Sequence, residues 1–195
     1  MPPLFSLATL HSSLRKVLCV GWHRTGTCSL GLAMRQLGYK HSAFNLRMTQ
    51  RVRRGDPEPA INCARCYNSF GNFPWCLLAH EFDAAFPGTR YILTVRENSE
   101  RWLHGLAIHD RRRGHNSGYR QAMTAIYGFA RLADHEAEAV VVYERHNIAT
   151  RLMFAGRLDF IELCWETGDG WPELCRFLGL PVVPGPFPYI HRDES

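Results

Sequence analysis

The chain has 195 residues, 46% of them hydrophobic and 21% charged, with a formal net charge of +5 and an isoelectric point near 8.9. That length suffices for one α/β domain burying roughly 70% of its unfolded surface, so neither disulfides nor a structural metal are needed as staples. No apolar run approaches the ~20 residues of a membrane-spanning helix, and the positive balance suits an anionic ligand.

Residues 1–15 read as an N-terminal tail. Their apolar piece, Leu4 to Leu10, has its arginine after it instead of before it, which is not a secretory signal; serines without acidic residues leave a weaker organelle-transit reading. Val17, Leu18 and Val20 then form the short apolar run of a buried parallel strand. Gly21 and Gly26 bracket the turn that follows, and Thr27 and Ser29 start a helix through Leu30, Ala33, Met34 and Leu37, stopped by Gly38. Tyr39 to Phe44 is a second strand, and Leu46 to Pro59, rich in arginine and without periodicity, is a basic loop. Pro74 opens a helix reaching Phe86, Tyr91 to Val95 is a central strand, and Trp102 to His109 is helical up to the break at Arg111 to Asn116. Tyr119 to Phe154 is helical in two pieces, Leu158 to Leu163 is the last strand, and Trp171 to Leu178 is the last helix, ended by Gly179 and Pro181. Alternating strands and helices predict a three-layer α/β/α fold around a central parallel sheet.

The first turn carries the chemistry. Its glycines have the spacing of a phosphate-cradling loop, but Thr27 stands where an ATPase or kinase has the lysine that reaches the β- and γ-phosphates. Arg24 lies inside the turn instead. The unpaired amides at the helix start favour an anion, and arginine adds charge-assisted bonds. A ligand-free strand–turn–helix corner is the plain alternative. A cysteine-phosphatase loop is excluded: it needs an arginine six residues after its cysteine, and neither Cys19 nor Cys28 has one.

Other features discriminate less. Only Lys16 and Lys40 among the 23 basic residues are lysine; arginine's planar fork suits phosphate or sulfate, although codon bias yields the same composition. The seven cysteines read as small hydrophobes of a reducing compartment, and Cys63-Ala-Arg-Cys66 has no second pair to complete a metal site.

GWHRTGTCSLGLAMRQLGY resembles the opening of the sulfotransferase family, whose loop G-x-x-[KR]-[ST]-G-T-[TS]-S binds the 5′-phosphosulfate of 3′-phosphoadenosine 5′-phosphosulfate (PAPS). More narrowly it is similar to the soluble branch with G-x-x-R-T-G-T-x-S-L. FGNFPWCLLAHEFDAAFPGTRYILTVRENSERWLHG and GDGWPELCRFLGLPVVPGPFP resemble that branch's middle and closing segments. The resemblance implies a P-loop NTPase-like sulfotransferase fold over residues 16–188, a C-terminal tail at 189–195, and a cytoplasmic enzyme. It implies PAPS as co-substrate, no metal, a small-molecule or glycan acceptor, and neither nucleic acid nor membrane as partner, with a homodimer left open.

By the same resemblance Arg24, Thr25, Gly26, Thr27, Cys28 and Ser29 hold the phosphosulfate. Arg96, just past a strand's carboxyl end where ligands of open α/β sheets bind, grips the 3′-phosphate. A salt bridge to Glu97 or Glu100 is its structural alternative. The family's partner serine, eight residues on, is His104 here. Sulfuryl transfer needs positive charge at the sulfonate and a base for the acceptor's proton. Arg24 meets the first demand. The family's acid or histidine two places before Pro74 is Asn72, and Asn68 likewise stands where aspartate is common. The substitute bases are His23, His80, Glu81 and His146, with His23 in the loop taken as the catalytic candidate beside Arg24. The alternatives are a degenerate relative that binds a nucleotide or partner without turnover, and a small-molecule or nucleotide kinase.

Overall fold

In a computed structural model of the protein, residues 15–190 are described. The short apolar runs form strands β1 (Val17–Cys19), β2 (His41–Ser42), β3 (Ser69–Phe70), β4 (Arg90–Thr94) and β5 (Phe160–Leu163). They make one sheet in the order β2-β3-β1-β4-β5, parallel throughout, with Leu18 paired to Phe70 on one side and Tyr91 on the other. β1 and four of the five β4 residues are buried, as expected of strands covered on both faces.

Among the described residues eight helices surround the sheet: α1 (Thr27–Gln36), α2 (Leu46–Arg53), α3 (Glu58–Ala64), α4 (Ala79–Ala85), α5 (Ser99–Arg113), α6 (Ser117–Tyr127), α7 (Glu136–Met153) and α8 (Trp171–Leu178). Side chains alternate between the two faces. Val17, Cys19 and Ile92 join Leu30, Ala33 and Met34 of α1 and Leu174 and Leu178 of α8. Leu18, Tyr91 and Leu93 join Ile61 of α3 and Phe82 of α4. The three-layer α/β/α architecture expected from the alternation is present. A third cluster, including Trp22, Phe73, Trp102, Met123 and Tyr143, lies beside it and supports α5, α6 and α7.

Several boundaries differ from the sequence reading. The stretch expected to be a basic loop contains α2, capped by Asn45, whose side chain accepts from the Met48 amide, and the start of α3. Only Thr49 of α2 is buried, with Met48 and Val52 against the core; so narrow an apolar stripe among four arginine-flanked positions left no visible period. β3 is two residues long, too short to alternate. The expected Pro74 helix is a 3-10 turn, Trp75–Leu77, followed by α4. α5 starts three residues before Trp102, at Asn98's cap, and runs through the arginines to Arg113. The two helical pieces after Tyr119 are α6 and α7, and α8 has the bounds expected. The expectations for residues 1–14 and 191–195 lie outside the described residues.

The order of strands sets the site. From β1 the chain crosses to β2 and returns through β3, whereas β4 and β5 lie on the other side of β1. The segments leaving β1 and β4 therefore diverge, and the carboxyl-end crevice between them is where ligands of open α/β sheets bind. At its floor Gly21 is pressed against β4: a β-carbon there would sit 2.7 Å from both the amide nitrogen and carbonyl oxygen of Thr94. Backbone cannot yield as a side-chain tip can. Gly21→Ala is expected to cost about 3 kcal/mol, the upper end for overpacking, and to lower the melting temperature by roughly 6–12 °C. An unchanged melting curve would show that β1 and β4 separate freely.

Candidate functional site

The turn between β1 and α1 is held from beneath. The Thr25 hydroxyl, buried, donates to the Trp22 carbonyl at 2.5 Å and lies 2.7 Å from the Thr94 hydroxyl. Gly26 has φ 86 and a ring neighbour, Trp165, where a β-carbon would go; only glycine meets both conditions. Trp165 Nε1 donates to the Gly26 carbonyl at 3.3 Å. The first intrahelical bond is from the Leu30 amide to the same carbonyl, so the amides of Thr27, Cys28 and Ser29 belong to the unpaired positive end of α1.

A cavity of about 250 Å³ opens on this turn, lined by His23 to Cys28, by Asn72 after β3, by Val95 and Arg96 after β4, and by Trp165 and Glu166 after β5. Ile108, His109, Arg112 and Arg113 of α5 complete its wall. Arg24 and Asn72 both have left-handed backbone, φ 67 and 69, a conformation uncommon outside glycine; strain of this kind gathers at functional sites. Arg24 Nε donates to the Gly105 carbonyl at 3.1 Å. Arg96 Nε donates to the Arg24 carbonyl at 2.8 Å, and its Nη1 meets Glu166 Oε1 at 2.5 Å. The two guanidiniums thus share one crevice.

The expected residues separate accordingly. Arg24, Thr25, Gly26, Thr27, Cys28 and Arg96 are brought together. Ser29 is fully buried, and its hydroxyl accepts from the Ile190 amide at 2.9 Å; of the segment assigned to a C-terminal tail, the described residues Tyr189 and Ile190 line the cavity. Arg96 pairs with Glu166, a carboxylate that follows the neighbouring strand β5. His104 is exposed and outside the cavity lining. Eight residues after Arg96 is the wrong phase of α5, and the residue beside Arg96 is Gly105, where a β-carbon would stand 3.0 Å from Arg96 Nη2.

Among the proposed bases, His80 is exposed, and neither it nor Glu81 lines the cavity. His146 bonds the Val20 carbonyl at 2.7 Å beneath the sheet end. His23 lines the cavity, but its Nε2 is bonded to the Tyr127 hydroxyl. That hydroxyl also accepts from Trp22 Nε1 at 2.9 Å, so the His23 ring is tied into a buried hydrogen-bonded group. Burial, then repulsion from Arg24 and His109, pushes the His23 pKa down to about 3. A histidine held neutral accepts a proton only weakly.

His109 was missed. It lies seven residues after buried Trp102 on the same face of α5, a spacing contained within the helix expected from Trp102 to His109. It lines both the anion cavity and a second chamber of about 420 Å³.

The buried histidines also set acid stability. Burial lowers His41, with help from Arg35, to about 4, and lowers His146. The unfolded chain binds protons at these positions near pH 6.5, whereas His23 and His41 in the folded protein resist until about 3 and 4. Between pH 6.5 and 5 the unfolded state therefore holds more protons. Stability is expected to fall as pH drops, by up to about 1.4 kcal/mol per pH unit for each histidine. Calorimetric melting across that window checks this, and His41→Gln should flatten the slope.

A family profile described as a sulfotransferase domain matches residues 16–195. The chain belongs to the sulfotransferase domain family. It is also 28% identical, over 220 aligned positions covering 92% of this chain and 82% of the other, to a protein of Aspergillus versicolor named Ava biosynthesis cluster protein M. The crevice between β1 and β4 of this family member is where its arginines converge.

Proposed function

We propose that the protein transfers a sulfonate group from PAPS to a small hydroxyl or amine acceptor. The observation that carries the reading is the convergence of Arg24, Arg96 and the amino-terminal amides of α1 on one cavity at the carboxyl ends of β1 and β4. The donor set suits a ligand with several anionic oxygens: planar guanidiniums for bidentate contact and a helix start for the 5′ end. When bound, PAPS supplies an electrophilic sulfur and a phosphate leaving group.

The residues divide the remaining work. Arg24 and the Thr27 and Cys28 amides face the sulfonate and the leaving phosphate, where negative charge develops. Arg96, oriented by Glu166, meets the second phosphate end. His23, kept neutral, donates from Nδ1 to oxygen without taking a proton. His109, on the wall common to both chambers, accepts the acceptor's proton as its oxygen bonds to sulfur and the sulfur–phosphate oxygen bond breaks. The acceptor sits in the second chamber, and no step requires a metal ion. All seven cysteines are unpaired, which favours a cytoplasmic setting.

A second reading rests on Asn72, which lines both chambers at the position where relatives carry an acid or histidine: a binding protein without turnover. Titration with 3′-phosphoadenosine 5′-phosphate (PAP) in a calorimeter tests what both readings share, and absence of binding there refutes both. Transfer of labelled sulfonate from PAPS across an acceptor panel separates them.

A further inference from the structure

We infer that Cys63 and Cys66 are a reversible thiol–disulfide site: the pair closes to an internal disulfide when the protein meets a low-molecular-weight disulfide of the class of glutathione disulfide. Neither cysteine lines the anion cavity, and the inference does not depend on sulfuryl transfer.

The fold brings the two thiols to one short turn at the end of α3. The Cys66 amide donates to the Cys63 carbonyl at 3.0 Å, and the intervening Arg65 has right-handed backbone, φ −61 and ψ −28. Side chains three apart in such a turn eclipse one another, with α-carbons about 6 Å apart. A disulfide spans about 4.4–6.8 Å between α-carbons. Cys63 is half-buried and Cys66 exposed, so one sulfur is reached from solvent and the other stands behind it. The remaining cysteines lack this arrangement. Cys19, Cys76, Cys164 and Cys175 are buried, and the exposed Cys28 has no second cysteine in its own turn.

Charge at this corner favours the reactive form. The carboxyl end of a helix is negative and opposes a thiolate. The Lys16 ammonium offsets it there, donating to the carbonyls of Ala64 at 2.8 Å and Tyr67 at 2.6 Å. Lys40 lies over the Tyr67 ring, 4.7 Å from its centre. These are the only lysines in the chain, and both act on the pair. Burial lowers the Lys16 pKa and raises that of Cys63; against it, Cys66 raises Lys16 and Lys40 lowers Cys63. Cations beside a cysteine make its thiolate available. A thiol whose pKa is raised is in turn a poor leaving group, so the closed bridge is slow to reopen at Cys63.

The exchange proceeds in two steps. Cys66, as thiolate, attacks one sulfur of glutathione disulfide; that S–S bond breaks and one glutathione leaves as thiolate. Cys63, as thiolate, then attacks the Cys66 sulfur and expels the second glutathione. The two thiol protons of the protein end on two glutathione molecules. Two cysteines are oxidised and one glutathione disulfide is reduced.

Reduced full-length protein is equilibrated in mixtures of glutathione and its disulfide, acid-quenched, alkylated and digested with trypsin. Arg65 separates the two cysteines, so their peptides stay joined only through the bridge. The joined pair is expected to carry no glutathione and to separate on reduction with dithiothreitol. Its equilibrium constant is expected to be at least about tenfold larger in the folded protein than in urea, because the turn holds the sulfurs in position. Cys63→Ser is expected to leave Cys66 carrying one glutathione. Peptides that stay separate in the most oxidising mixture overturn the site, whether the thiols remain free or each carries glutathione. Equal constants in folded and unfolded chain overturn it too, as does a Cys66 that takes up no glutathione in Cys63→Ser.

Discussion

Arg24→Ala is expected to weaken PAP binding by roughly 10²- to 10⁴-fold. The guanidinium lines the anion cavity and is aimed by its bond to the Gly105 carbonyl, so it can present its remaining donors to phosphate. Two charge-assisted bonds at about 1.5–3 kcal/mol each are worth that range. Its own carbonyl receives Arg96 Nε at 2.8 Å, a backbone contact that alanine retains. The loss should therefore be of binding and not of folding, and far-UV circular dichroism should match the parent. Arg24→Lys keeps the charge but not the fork, and should fall between the two. Titration calorimetry decides it: an affinity for PAP unchanged in Arg24→Ala would remove the anion site from the turn after β1.

His109→Ala should lower kcat by roughly 10²- to 10⁴-fold, the usual worth of a positioned base, with PAP affinity close to the parent's. The division between kcat and binding matters, because a merely structural histidine would disturb both. His109 stands on the wall common to the two chambers, where a proton leaving an acceptor can reach it. His23→Gln should behave differently. Its ring is part of the buried Trp22–Tyr127 group, so that variant should lose melting temperature first. A His109→Ala enzyme with full kcat would remove His109 from the role of base.

The turn between β1 and α1 was legible because its instructions are local. Two glycines, an arginine and hydroxyl residues directly after a buried apolar run specify a strand, a tight turn and a helix start whatever surrounds them. α8 was legible for the same reason: a dense apolar face bounded by Gly170 and Gly179. α2 and β3 were not, since one carries a narrow apolar stripe hidden among arginines and the other is two residues long. Their existence depends on neighbours that are distant in sequence, as Ser69 needs both Val17 and His41 as strand partners.

What sequence alone determined, then, is the layer architecture and the glycine-bracketed turn, because both follow from short-range spacing of apolar side chains, glycines and arginine. Only the tertiary structure decided that Glu166 pairs with Arg96, that His104 faces solvent, that Tyr127 is bonded to His23, and that His109 stands where two chambers meet. Those relations join residues up to 104 positions apart in the His23–Tyr127 pair. They are fixed by helix phase and by which strand lies next to which, and a linear pattern carries neither.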